Sequence, residues 1–290
     1  MLFKGSGVAI VTPFDKNKKV NYKKFEELLN FHLKNKTDAV IIAGTTGESS
    51  TLDEEEKLEL FKIGVKVLKN KIKIIAGTGS NNTYKARKLT SKAREIGVDA
   101  CLIVAPYYNK TNQNGIIEHY KYISKENLPI ILYNVPSRTG INILPTTCLE
   151  LSKIKNIIAI KEASGNISQV AEISRLCNKE FSIYSGNDDI ILPVMSLGGI
   201  GVISVLANIF PNETHDICEN YFNKDCEASK NLQLNFLNLI NNLFCDINPM
   251  PIKFAMNYLG FDVGECRMPL TDLNIENQNK IIQSIKKLNI

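Results

Sequence analysis

The sequence predicts an α/β fold, a closed (β/α)8 barrel with a small C-terminal helical appendage. Three observations support it. Short apolar runs rich in β-branched residues recur at intervals of about 25 to 30 residues. Amphipathic segments separate them, and no G-x-G-x-x-G turn follows the first run. Runs that lack polar alternation belong to strands buried on both faces, as in a parallel sheet. A doubly wound open sheet would share that pattern, but eight units suffice for closure.

The strands are expected at Val8-Ala9-Ile10-Val11, Ala39-Val40-Ile41-Ile42, Ile72 to Ala76, Ala100 to Val104, Ile130 to Tyr133, Ile157 to Ile160, Phe181 to Tyr184 and Gly201 to Val205. Amphipathic helices fit Lys23 to Leu33, Asp53 to Leu68 and Thr83 to Ile96. The second has Thr51 as its expected N-cap and Glu54 to Glu56 in its first turn, where acids complement the helix dipole. From about Pro211 the strand signal stops and the pattern turns helical, punctuated by Asn248-Pro249-Met250-Pro251. The expected division is a barrel over 1–210 and packed helices over 211–290.

Composition narrows the class of function. With 290 residues, 44% hydrophobic and 22% charged, the chain can bury one large core or two modest ones. The apolar run Gly7 to Pro13 is too short for a signal sequence and leads into Asp15 and lysines, so a cytoplasmic protein without a membrane span is expected. The formal charge of +5 is spread along the chain, too dilute for a nucleic-acid partner yet favourable to small anionic substrates. Seven cysteines, with no C-x-x-C, read as small core residues or free thiols. His32, His119 and His215 stand far apart, so no metal is expected.

Chemistry concentrates where the strands end. Ile157 to Ile160 leads straight into Lys161, Glu162 and a Ser-Gly turn, which places an ammonium at the border between core and cleft. Desolvation penalises the charged form of such a lysine, and a neutral amine is what Schiff-base chemistry requires. A strand-end lysine with its charge in water would do nothing of the kind. Gly44-Thr45-Thr46-Gly47 offers converging amides and hydroxyls as a seat for a carboxylate, or merely a turn before a helix. Tyr133 ends the fifth strand, where its hydroxyl would pass protons or simply fill the core. Arg138 follows in a Pro-Ser-Arg-Thr-Gly loop and suits a substrate carboxylate or a surface ion pair. Tyr107 and Tyr108 fit a subunit contact as well as a substrate contact. In a barrel all these loops meet at one mouth.

The stretches G-T-T-G-E-S at 44–49, P-Y-Y-N at 106–109, Y-N-V-P-S-R-T-G at 133–140, I-K-E-A-S-G at 160–165 and N-P-M-P-I-K at 248–253 carry a resemblance to the dihydrodipicolinate synthase family. It spans nearly the whole chain, with the motifs in order. It implies a lyase that joins pyruvate to L-aspartate 4-semialdehyde through a lysine Schiff base, at the branch point of diaminopimelate and lysine biosynthesis, without a cofactor. By that resemblance Lys161 is the Schiff-base lysine, Tyr133, Thr45 and Tyr108 form the proton relay, and Tyr108 reaches in from a neighbouring subunit. Thr45 and Thr46 seat the pyruvate carboxylate, Arg138 receives that of the semialdehyde, and Gly186 and Ile203 line the pocket. A homo-oligomer, a dimer of tight dimers, is the family expectation.

The resemblance also implies a feedback cleft for lysine at Ser49, Ser50, Glu54, Lys57, Asn81, Lys85 and Tyr107. In lysine-inhibited members the positions of Glu54 and Lys57 are commonly histidines, and that of Lys85 a glutamate that pairs with the ligand's amine. Lys85 reverses that charge, so weak or absent lysine inhibition is expected. Two other functions share parts of this pattern. A pyruvate-dependent lyase acting on a sugar aldehyde would keep Lys161 and Tyr133 but have no carboxylate for Arg138. A non-catalytic binding protein would have no need of lysine, tyrosine and threonine together.

Overall fold

The computed structural model describes residues 1–288. Eight parallel strands close into a barrel in chain order: β1 (Gly5–Ala9), β2 (Ala39–Ile42), β3 (Lys73–Gly77), β4 (Ala100–Val104), β5 (Ile130–Asn134), β6 (Ile157–Glu162), β7 (Ser182–Ser185) and β8 (Gly201–Ser204). β8 returns to β1, with Gly5 opposite Gly201 and Val8 opposite Ser204. The (β/α)8 architecture and six of the strand positions match the sequence reading to within one residue.

The largest shifts are in β1 and β6. β1 starts at Gly5, because the small residues Gly5-Ser6-Gly7 pair with β8 although they carry no apolar signal. β6 runs two residues past Ile160 and takes Lys161 and Glu162 into the ladder, opposite Tyr133 and Asn134.

Alternation divides the core into two layers. Ala9, Ile41, Ile75, Leu102, Ile131, Tyr133, Ala159 and Ile203 fill the barrel interior. Their neighbours Val8, Val40, Ile74, Ile103, Leu132 and Ile160 face the surrounding helices. Phe3, just ahead of β1, stacks on Tyr184 at 4.3 Å and accepts its hydroxyl at 2.7 Å, plugging the barrel opposite its mouth.

The helix predicted to start near Thr51 spans Glu54–Leu68, and its cap is Asp53. Asp53 and Glu56 form a reciprocal capping box, while the Thr51 hydroxyl donates to the Glu48 carbonyl. The helices Tyr22–Lys34 and Thr83–Ile96 stand where the pattern placed them.

Pro211–Phe222 follows β8 and packs on β1 and β8, so it completes the last barrel unit. This helix lies beyond the expected boundary at 210. Beyond it lie helices Cys226–Asn242, Met250–Tyr258 and Ile275–Lys287. Phe236, Ile252, Met256 and Ile281 from these helices belong to the same apolar cluster as the outer faces of the strands. The appendage thus shares the barrel's core.

Candidate active site

Strand parity decides which side chains reach the mouth. In β6 Ala159 faces inward, so Lys161 does too, while Glu162 faces outward. The register between β5 and β6 shifts once: Ile130 pairs with Ile157, but Ile131 pairs with Ala159, which leaves Ile158 as an extra residue. That bulge brings Lys161 directly beside Tyr133.

Lys161 is 6% exposed and its Nζ lies 4.6 Å from the centroid of the Tyr133 ring. Among the described residues it has no ion-pair or hydrogen-bond partner. Glu162 is firmly held on the other side, accepting from Asn134 Nδ2 and Gln169 Nε2, both at 2.9 Å, and from the Ser164 N–H at 2.7 Å. Asp188 accepts from the N–H groups of Val205 and Leu206 at 2.9 and 3.1 Å. Burial raises the Asp188 carboxyl above its usual range; hydrogen bonds from Ser204 and the Leu206 and Val205 amides, together with the charge of Lys161, oppose that rise.

A cavity of about 180 Å³ opens over the barrel axis. Lys161, Tyr133, Thr45, Thr46, Arg138 and Gly186 all line it. Thr46 is buried and its hydroxyl accepts from Asn248 Nδ2 at 3.0 Å. Among the described residues no hydrogen bond engages the backbone N–H of Thr45 or Thr46, which leaves both for a ligand. Arg138 lies in a one-turn helix, Pro136–Thr139, and its Nη2 donates to the Asn248 carbonyl at 3.1 Å. No carboxylate among the described residues pairs with it, so the surface ion-pair alternative is not realised.

Two glycines make this packing feasible. A Cβ on Gly77 would stand 2.1 Å from the Ala43 carbonyl oxygen, so β3 must lack one for the 43–48 loop to lie against it. On Gly186 it would meet the Ala163 Cβ at 2.5 Å, closing the gap beside Lys161.

Two expected site residues are not in this cavity. Ile203 is packed in the barrel interior below it, and from that stretch Val205 provides the lining. Tyr108 is 91% exposed, has φ of +70° and lines neither cavity. Within one chain, therefore, Tyr108 is not brought to Lys161.

A second cavity of about 630 Å³ continues from the first, sharing Gly44, Thr45, Tyr133, Arg138 and Asn248. Ser49, Ser50, Glu54, Lys57, Lys85 and Tyr107 line it, but Asn81 does not. The carbonyl of Asn81 instead accepts from Asn109 Nδ2 at 3.0 Å. Glu54 is already paired with Lys92 and, at 3.8 Å, with Lys88, and the Lys92 hydrogen bond lowers its pKa. Burial lowers the pKa of Lys57, while Glu54 and Asp53 oppose that.

Sequence reasoning missed the support beneath the threonine seat. Glu48 ends the loop with φ of +54° and pairs with Lys253 at 2.6 Å, where both side chains are at most 2% exposed. The Arg267 N–H donates to its other oxygen at 2.8 Å. Lys253 and Arg267 both lie over the Phe14 ring, 4.1 and 4.4 Å from its centroid. Burial lowers the Lys253 pKa against the attraction of Glu48. Both residues fell within motifs noted in the sequence, but no spacing pairs positions this far apart.

Taken together, the barrel and its mouth define a class: (β/α)8 proteins with a buried, uncompensated lysine inside the C-terminal end of the sixth strand. The model of the Dihydrodipicolinate synthetase family matches residues 2–288, and the chain belongs to that family. It is 54% identical over 289 residues to the 4-hydroxy-tetrahydrodipicolinate synthase of Clostridium novyi (strain NT), covering 99% of this chain and 97% of that one. The crystal structure of the chloride-inhibited dihydrodipicolinate synthase from Acinetobacter baumannii complexed with pyruvate superposes with a TM-score of 0.96 at 40% identity, over 99% of each chain. The enzyme from Cyanidioschyzon merolae with lysine bound gives 0.97 at 39% identity, again over 99% of each.

Replacing Lys253 with Met leaves the Glu48 carboxylate buried without its cation. The expected cost is about 3 to 5 kcal/mol of folding stability, read by urea denaturation. The double variant Lys253→Met, Glu48→Gln should recover much of it, because the stranded charge is gone. A single variant as stable as wild type would show that the pair does not anchor the loop.

Proposed function

We infer that the chain condenses pyruvate with L-aspartate 4-semialdehyde to 4-hydroxy-tetrahydrodipicolinate, the branch-point step of diaminopimelate and lysine biosynthesis, with Lys161 as the imine-forming group. The carrying observation is the buried, unpaired Lys161 Nζ beside Tyr133 in a cavity that also holds Thr45, Thr46 and Arg138. The relatives' name, and the pyruvate in the A. baumannii complex, support the same reading.

The amine of Lys161 attacks the pyruvate ketone, and loss of water gives the protonated imine. Tyr133 hands protons to and from the departing oxygen. Thr45 and Thr46 hold the pyruvate carboxylate through hydroxyls and free N–H groups, which fixes the ketone over Lys161. The imine draws electrons from the methyl carbon, which loses a proton to become an enamine and adds to the aldehyde. Arg138, with no protein counter-charge, takes the carboxylate of that second substrate. The substrate's own amine then attacks the imine carbon, closes the ring and releases Lys161.

Tyr108 completes the relay from a second copy of the chain. Its near-complete exposure on a positive-φ turn fits a side chain presented outward to a partner. A dimer is then the smallest active assembly, and a dimer of dimers is the family form. The chain works in the cytoplasm; among the described residues no helix is long and apolar enough to cross a membrane.

Borohydride reduction with pyruvate should add one reduced pyruvyl group to Lys161, located by peptide mass spectrometry. Unmodified Lys161 would refute the imine. Arg138→Ala should lower kcat/KM for the semialdehyde roughly ten- to a hundredfold while pyruvate trapping persists; equal losses for both substrates would remove the assigned role.

Mixing inactive Lys161→Ala and Tyr108→Phe chains should restore activity, since hybrid dimers carry one site with neither defect. A mixture as inactive as its parents would place Tyr108 outside the relay in trans.

Lys57, Lys85 and Lys88 line the second cavity, and its acids Glu48 and Glu54 are already paired with lysines. Millimolar lysine should therefore inhibit little or not at all, and Lys85→Glu should increase sensitivity. Strong, saturable inhibition of the wild type in a steady-state assay contradicts this.

A further inference from the structure

Asn248 borders both cavities and is 7% exposed. Two of its polar atoms are committed. Its Nδ2 donates to Thr46 Oγ1, and its carbonyl accepts from Arg138 Nη2. One residue of the appended segment thus touches both groups assigned to substrate carboxylates. Its third polar atom, Oδ1, is buried and has no hydrogen-bond partner among the described residues. Buried acceptors are normally satisfied, and an unpaired one beside a cavity calls for a donor from whatever enters.

Pyruvate carries no hydrogen-bond donor, whereas the aldehyde substrate carries an ammonium on the same carbon as its carboxylate. With that carboxylate on Arg138, itself tied to the Asn248 main chain, the ammonium is one carbon removed. We propose that Asn248 is a specificity-determining residue whose Oδ1 accepts a hydrogen bond from the α-ammonium of the aldehyde substrate. This rests on the function proposed above. The orientation of the amide is consistent with it: with Nδ2 on Thr46, the threonine keeps its own proton for the pyruvate carboxylate. Asn187 Oδ1 is a second unpaired acceptor at the cavity, but Asn187 bonds to neither Arg138 nor Thr46.

The test compares two aldehydes that differ only by the amine. KM for aspartate semialdehyde and the inhibition constant of succinate semialdehyde are measured in wild type, Asn248→Ala, Asn248→Asp and Asn187→Ala. Asn248→Ala should raise the first about tenfold and change the second by no more than about twofold. Asn248→Asp keeps an acceptor and should preserve discrimination, but it cannot donate to Thr46 and should raise KM for pyruvate. Asn187→Ala should leave the ratio of the two constants unchanged. Parallel weakening of both aldehydes in Asn248→Ala, or loss of discrimination in Asn187→Ala instead, overturns the proposal. Pyruvate trapping by borohydride is run on every protein: its failure in the wild type sinks the imine reading, whereas intact trapping with unaltered discrimination sinks only the role of Asn248.

Discussion

The site depends on the phase of one strand. Side chains in a strand alternate faces, so a one-residue slip in β6 would turn Lys161 out among the helices and bring Glu162 into the barrel. The extra residue at Ile158 fixes that phase relative to β5. Lys161 and Tyr133 become neighbours through the hydrogen-bonded ladder, whose geometry is far stiffer than a loop's. Glu162, sent outward, is then satisfied by three donors and adds no negative charge to the cavity wall.

The second constraint comes from outside the barrel proper. The 44–48 loop carries the proposed carboxylate seat, and a loop alone is a poor platform for precise recognition. Here its C-terminal end is clamped twice. Thr12 Oγ1 donates to the Gly47 carbonyl at 2.7 Å, and Glu48 is locked in the buried pair with Lys253. The helix that supplies Lys253 begins two residues after Asn248, so the segment that immobilises the loop also orients Thr46 and Arg138. The appended helices are therefore a wall of the active site, which explains why they share one apolar core with the barrel.

The barrel was legible in the sequence because strands buried on both faces are written as uninterrupted apolar runs. β4 was readable to the residue; β1 was not, since Gly5-Ser6-Gly7 pairs through backbone alone. The helix cap moved from Thr51 to Asp53 because a reciprocal box with Glu56 satisfies two N–H groups, where a lone threonine satisfies one. Lys161, Tyr133, Thr45, Thr46 and Arg138 stood out as polar chemistry following strand after strand. The bulge left no trace, because Ile158 fits an apolar run whether or not it is extra. Contacts such as Thr46 with Asn248, 202 positions apart, leave no local pattern at all. Ile203 sits one pleat below the cavity, and Tyr108 projects away from its own barrel.

Charge at the mouth shows why anionic substrates fit so strongly basic a pocket without an acidic rival. Glu48 is bound to Lys253, Glu54 to Lys88 and Lys92, and Glu162 and Asp188 to amide donors. Each acid is thereby spent internally, while among the described residues Arg138 pairs with no carboxylate, only with the Asn248 carbonyl, and Lys161 has no partner. Arg138 is exposed at the rim of the cleft, so its guanidinium keeps its hydration and stands ready for an incoming carboxylate. By the role proposed for it, that guanidinium without a protein counter-charge favours keto and amino acids over neutral carbonyl compounds before any bond is made.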